Sequence, residues 1–145
     1  MSGALRELNA GTISAIVYRA LAIAESLAPA SAQGAFVPVG HGFDAFAAIG
    51  KILGGATGQV LIVDPFMDEK ALIEFAPLVP ERVEIHLLAG EKVHTLSLPP
   101  AADKWRSQYQ ASRPLEVRLA PARTLHDRLI VVDGKDAWTL TQSLN

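Results

Sequence analysis

Two short runs of branched apolar residues, Val60-Leu61-Ile62-Val63 and Leu129-Ile130-Val131-Val132, most constrain the fold of this chain. Successive side chains on a strand point to opposite faces, so four apolar residues in a row predict a strand buried on both sides. Branched side chains pack well on such a surface. Asp64-Pro65 stops the first run, while Asp133-Gly134-Lys135-Asp136 supplies the turn chemistry that folds the second onto a return strand over residues 137–141 as an antiparallel hairpin.

Helical periodicity fills the intervals. Ile13, Ile16, Val17, Ala20, Leu21, Ala24 and Leu27 recur at three- and four-residue steps from Thr12, predicting a core-packing helix that Pro29 ends. A small, polar linker over 28–34 leads to an extended segment, 35–39, interrupted by Pro38. Further helices are expected over 43–53, closed by Gly54-Gly55, over 68–76, and from Pro99-Pro100 through Gln110, with strands over 83–88 and 115–119. Strands alternating with helices give an α/β fold, a mixed and mostly parallel sheet with helices on both faces. At 145 residues the expectation is a single domain, with an N-terminal helix and linker over 1–34 and an α/β core over 35–145. The absence of cysteine excludes disulfides and thiolate metal sites. The start of the sequence lacks the basic-then-apolar layout of a secretory signal, and no apolar run approaches membrane-spanning length. A cytoplasmic protein without stable membrane association is expected.

Polar residues cluster around the second strand. His126 and Arg128, two apart at its start, point the same way on an extended chain, so an imidazole and a guanidinium can face one ligand. Asp133 follows the strand, and Ser143 and Asn145 follow the return strand. This order resembles the phospholipase D superfamily, whose signature is His-x-Lys, four residues, Asp, and after a short return strand Gly-Ser-x-Asn. His126, Asp133, Ser143 and Asn145 match in order, whereas Arg128 stands where the family usually has Lys and Gln142 where it has Gly. Arg keeps the charge and can bind phosphate bidentately, with a planar fork in place of a compact ammonium. The interval from Asp133 to the Ser cluster is two residues longer than in the commonest form.

The resemblance implies a phospholipase D-like α/β domain and a phosphodiesterase that needs no metal or other cofactor. His126 would form a phosphohistidine, Arg128, Ser143 and Asn145 would bind phosphoryl oxygens, and Asp133 would support the turn. Two signature segments meet at one site in the family. With one copy here, a homodimer is implied, each subunit supplying one His126 across an isologous interface. The resemblance ends with Asn145, the last residue, where family members continue with a further helix, strands and often a carboxylate that orients the histidine. That is compatible with a domain truncated at its C-terminus.

Charge narrows the substrate. Lys104, Arg106, Arg113, Arg118, Arg123 and Arg128 stand against Glu116 and Asp127 in the segment approaching the motif, in a chain of net charge −2. A local positive surplus before the site draws in polyanions, although a solvated basic helix and loop would look the same. A nuclease cleaving DNA is the first reading. The alternatives are a catalytically silent phospholipase D-like domain that binds nucleic acid or a protein, and a phospholipid-directed phosphatidyltransferase. Asp64, at the C-terminal end of the first strand, lies where ligands bind in open α/β sheets, or else Asp64-Pro65 only starts a helix. His41, between two glycines, reads as a turn, and His86 and His94 lack metal-pair spacing. The glycines near Lys51 do not form a nucleotide loop. Trp105 and Tyr109 either stack bases or pack their helix against the domain.

Overall fold

A computed structural model describes residues 42–92, 95–141, 143 and 144. The helix expected over 12–27, the segment 35–39, and His41, His94, Gln142 and Asn145 lie outside the described residues. The element order is α1 (Gly42–Gly54), β1 (Gln59–Asp64), a helical turn (Ala71–Phe75 and Ala76–Leu78), β2 (Glu84–Gly90), α2 (Leu98–Tyr109), β3 (Leu115–Ala120), β4 (Leu129–Val132) and β5 (Asp136–Thr139). Both apolar runs form strands, and all four residues of β4 are buried.

The five strands make one α/β sheet in the order β3-β2-β1-β4-β5. β1, β2 and β3 are parallel, while β4 is antiparallel to both β1 and β5. The sheet is therefore parallel at one end and antiparallel at the other, more evenly divided than the sequence suggests. The cause is the connection over 121–128. β3 ends at the same edge as β1, and β4 starts there, so the connection crosses the C-terminal ends of β2 and β1 before the chain turns back. Crossing three strand spacings of about 4.8 Å takes about 14 Å, well within the reach of eight residues.

Strand alternation divides the apolar residues between two clusters. Ile62, Leu87, Leu115 and Ile130 pack with Leu53 of α1, Phe75 of the helical turn and Trp105 of α2 in the main core. Val63, Leu88, Leu129, Val131 and Ala137 form the other cluster with Leu125 of the connection. All the described helices thus contribute to one face. Each fully buried aliphatic side chain stabilises the fold by about 1.5–3 kcal/mol. The helix expected over 68–76 is present but irregular: Ala71–Phe75 is a wide turn, with Ala76 N–H bonding the carbonyl of Ala71 five residues back, and Ala76–Leu78 a tight one that accommodates Pro77 at its start.

The hairpin joining β4 to β5 carries Asp133 and Gly134 at φ 55° and 65°, with Lys135 N–H donating to Val132 O at 3.1 Å. Two successive positive φ angles make the turn that matches the twist of a strand pair, and Asp and Gly tolerate them. Asp133 also reaches the start of β1. Its carboxylate accepts from the backbone N–H groups of Thr57, Gly58 (2.6 Å) and Gln59 (3.0 Å) and from the Thr57 hydroxyl. These bonds, the Gln59 N–H first, hold its carboxyl below the ordinary value of 3.8, at about 2. A depressed folded value stabilises the protein fully above the unfolded value and not at all below the folded one. Asp133→Asn is therefore expected to melt below wild type at neutral pH. The gap in melting temperature should close between about pH 4 and pH 2. A gap that persists unchanged to pH 2 would show that the cap does not act through its charge.

Candidate anion site at the C-terminal sheet edge

β1 carries neighbours on both sides and is the strand at which the sequence order of the sheet reverses. In open α/β sheets, ligands bind beyond the C-terminal ends of the strands at such a point. Four stretches of chain meet there. They are the Pro65-Phe66 turn after β1, the loop after β2 containing Lys92, the 121–128 connection, and the segment after β5 that carries Ser143 and Leu144.

Asp64 joins them. It has no solvent exposure, yet its carboxylate faces only donors. Oδ1 accepts from Phe66 N–H at 2.9 Å, closing a turn over Pro65, and Oδ2 accepts from Ser143 Oγ and Leu144 N–H, both at 2.7 Å. Arg128 Nε stands 4.0 Å from Oδ1, an ion pair without a hydrogen bond. A buried charge is tolerable when opposite charge and donors surround it, and this arrangement supplies both. The proline ring fixes one φ and removes a competing N–H, which explains why Asp64-Pro65 makes a turn at this point and not the start of a helix.

Arg128 is held by its backbone as well. Its carbonyl accepts from Leu140 N–H at 2.8 Å, extending the β4–β5 ladder by one residue beyond both strands. Leu125, Leu129 and Val131 share one apolar cluster, and Ile130 and Val132 share the other. The alternation sends Arg128 to the side of the sheet on which Asp64 lies. The guanidinium sits over the Phe66 ring, 5.6 Å from its centroid, and its buried Nε has no hydrogen-bond partner among the described residues. Nε is thus turned inward beside Asp64, and the exposed part of the side chain, 27% of it, is what an anion would meet.

The other residues singled out by the sequence are distributed as follows. His126 is exposed in the connection two residues before Arg128, and makes no hydrogen bond among the described residues. Ser143 is at the edge, its hydroxyl donating to Asp64. Asp133 is at the opposite end of the sheet, since β4 runs antiparallel to β1 with Val132 beside Val60. Asn145 lies outside the described residues. Asp64 is the residue the sequence undervalues, because an Asp-Pro pair after a strand is a common turn starter and nothing local signals contacts to residues 143 and 144.

The basic segment is partly consumed by structure. Arg113 donates to Val79 O at 2.6 Å, Arg106 to Leu115 O and Asp103, and Arg118 to Glu116. Lys104 and Arg123 are exposed. Trp105 is buried, donates to Arg113 O at 3.0 Å and meets the Tyr109 ring at 5.0 Å, so this pair packs α2 against the domain. His86 lies between Glu84 (3.3 Å) and Glu116 (3.4 Å) on the sheet face away from the described helices. Among the described residues, no three His, Asp or Glu side chains converge so as to hold a metal ion.

Replacing Asp64 with Ala strands three donors and the Arg128 charge, and is expected to destabilise the protein by about 2–4 kcal/mol in urea unfolding. Ser143→Ala removes one hydrogen bond and is expected to cost about 1 kcal/mol. Equal, sub-kcal effects of the two would mean that the edge is not organised around Asp64.

No family model matches the chain, and no curated protein does. Among solved structures, one that is similar is TrmBL2, described as an archaeal chromatin protein showing a novel mode of DNA binding. The identity is 16% and the TM-score 0.43, over 89% of this chain and 52% of that one. The chain thus spans about half the length of that protein.

Proposed function

We propose that this chain is a metal-independent phosphodiesterase of the phospholipase D type, cleaving DNA through a phosphohistidine at a site completed by a second copy of the chain. One observation carries the reading. A partly exposed guanidinium, its Nε 4.0 Å from a buried carboxylate, stands at the sheet edge, two residues from a solvent-exposed histidine. Arg128 would bind a non-bridging phosphoryl oxygen and stabilise the charge that develops in the transition state. His126 Nε2 or Nδ1 would attack phosphorus, and the histidine of the second copy would protonate the leaving oxygen. Water then cleaves the phosphorus–nitrogen bond, with the second histidine taking its proton. Ser143 spends its one hydroxyl proton on Asp64, so it would hold that carboxylate in place and not donate to a phosphoryl oxygen as the resemblance implies.

A second reading has its own support. His126 has no described group to fix its tautomer, and Asp64 lies against Arg128. A catalytic imidazole is ordinarily oriented by a partner on its second nitrogen. A catalytically silent domain that binds nucleic acid or a protein has no such need.

Hydrolysis of a chromogenic phosphodiester and of plasmid DNA in excess EDTA separates the two. The phosphodiesterase predicts turnover that persists in the chelator and falls at least about a thousandfold in His126→Ala. DNA binding that is unchanged by His126→Ala, without turnover by the folded wild type, would assign the chain to the silent class.

A further inference from the structure

We propose that Lys92 is a second anion-binding cation of this site, acting beside Arg128 from outside the motif; the inference rests on the phosphodiesterase reading. Lys92 is far from the motif in sequence, in the loop after β2, and no part of the signature contains it. In the structure its Nζ lies 3.9 Å from the centroid of Phe66, the same ring that carries the Arg128 guanidinium at 5.6 Å. One ring thus gathers two cations from separate strands' ends.

The placement of Lys92 is built, not incidental. Thr95, 1% exposed, ties the loop down: its hydroxyl bonds Gly90 O at 2.7 Å and Lys92 O at 2.8 Å, and accepts from Lys92 N–H at 3.1 Å. Gly90 in turn donates to Pro65 O at 3.2 Å, and a Cβ on Gly90 would stand 3.0 Å from that same oxygen. The Lys92 loop and the Phe66 turn are therefore fixed against each other by short backbone contacts.

Charge argues the role. Asp64 lies beside Arg128 and offsets its charge, leaving the pair near neutral. Lys92 has no carboxylate partner among the described residues; its neighbour is the face of an aromatic ring. Lys92 therefore offers a charge that no described carboxylate offsets, and an anion arriving at the Phe66 turn would meet it as well as Arg128.

The test uses the full-length chain and a short fluorescein-labelled DNA oligonucleotide, with anisotropy followed from low to physiological salt. Lys92→Met keeps the apolar stem over Phe66 and removes the charge. The expected result is a loss of affinity of about tenfold at low salt, and a slope of log affinity against log salt that falls by about one, both restored by Lys92→Arg. With the chromogenic phosphodiester, the loss should fall on KM more than on kcat. Phe66→Leu, which keeps both cations without their shared ring, should weaken binding in the same direction. A slope unchanged in Lys92→Met, while Arg128→Gln lowers it, overturns the inference and leaves the phosphodiesterase reading standing. A wild type that neither binds the oligonucleotide nor turns over the diester overturns both.

Discussion

A carboxylate with no solvent exposure must have its charge and lone pairs met inside the protein, and the arrangement at the end of β1 follows from meeting those of Asp64. Three donors and one guanidinium do so, and they come from three places in the chain: Phe66 directly after the strand, Arg128 before β4, and Ser143 and Leu144 after β5. The hairpin brings the last two groups to the edge because β4 starts there and β5 ends there. The 121–128 connection is stretched across the same edge by the strand order. Topology assembles the residues, and a single buried charge holds them in register.

The two ends of the sheet divide the work between two aspartates. Asp133 is tied to backbone N–H groups at the start of β1 and acts on the stability of the hairpin. Asp64 is tied to a side-chain cation and to the chain end, and acts on the geometry of the candidate site. The distinction matters for charge as well. Arg106, Arg113 and Arg118 are bonded to carbonyls or carboxylates within the fold, so the basic character of the segment before the motif overstates what an incoming polyanion would meet. The cations gathered at the edge are Arg128 and Lys92, the latter from outside that segment.

Much of the fold is legible in the sequence, for specific reasons. Val60 to Val63 and Leu129 to Val132 are apolar on both faces, and only a strand uses such a run well. Asp133-Gly134 encodes a turn that few other pairs can adopt. The helix expected over 68–76 forms with changing geometry, a wide turn over Ala71–Phe75 and a tight one over Ala76–Leu78, which apolar spacing alone does not foretell. The parallel or antiparallel sense of β4 is set by where the connection enters the sheet, which no local pattern records. The candidate site divides the same way. His126 and Arg128 are found by their spacing, and Ser143 by its order after the hairpin. Asp64 is placed at this edge by its position after the first strand, but its contacts, one of them 79 residues away, and the whole of Lys92's part, on another strand's turn, are found only in three dimensions.

The central claim is that this edge receives a phosphoryl anion on Arg128, supported by Asp64. The most direct test is a proton–nitrogen NMR titration of the full-length chain with a short DNA oligonucleotide, following the Arg128 Nε–H and the Leu144 amide. The account predicts that both resonances move together and saturate, and that Arg128→Gln abolishes the Leu144 response. Saturable shifts confined to other exposed basic residues, with Arg128 Nε–H and Leu144 unmoved, would place the anion elsewhere and contradict it.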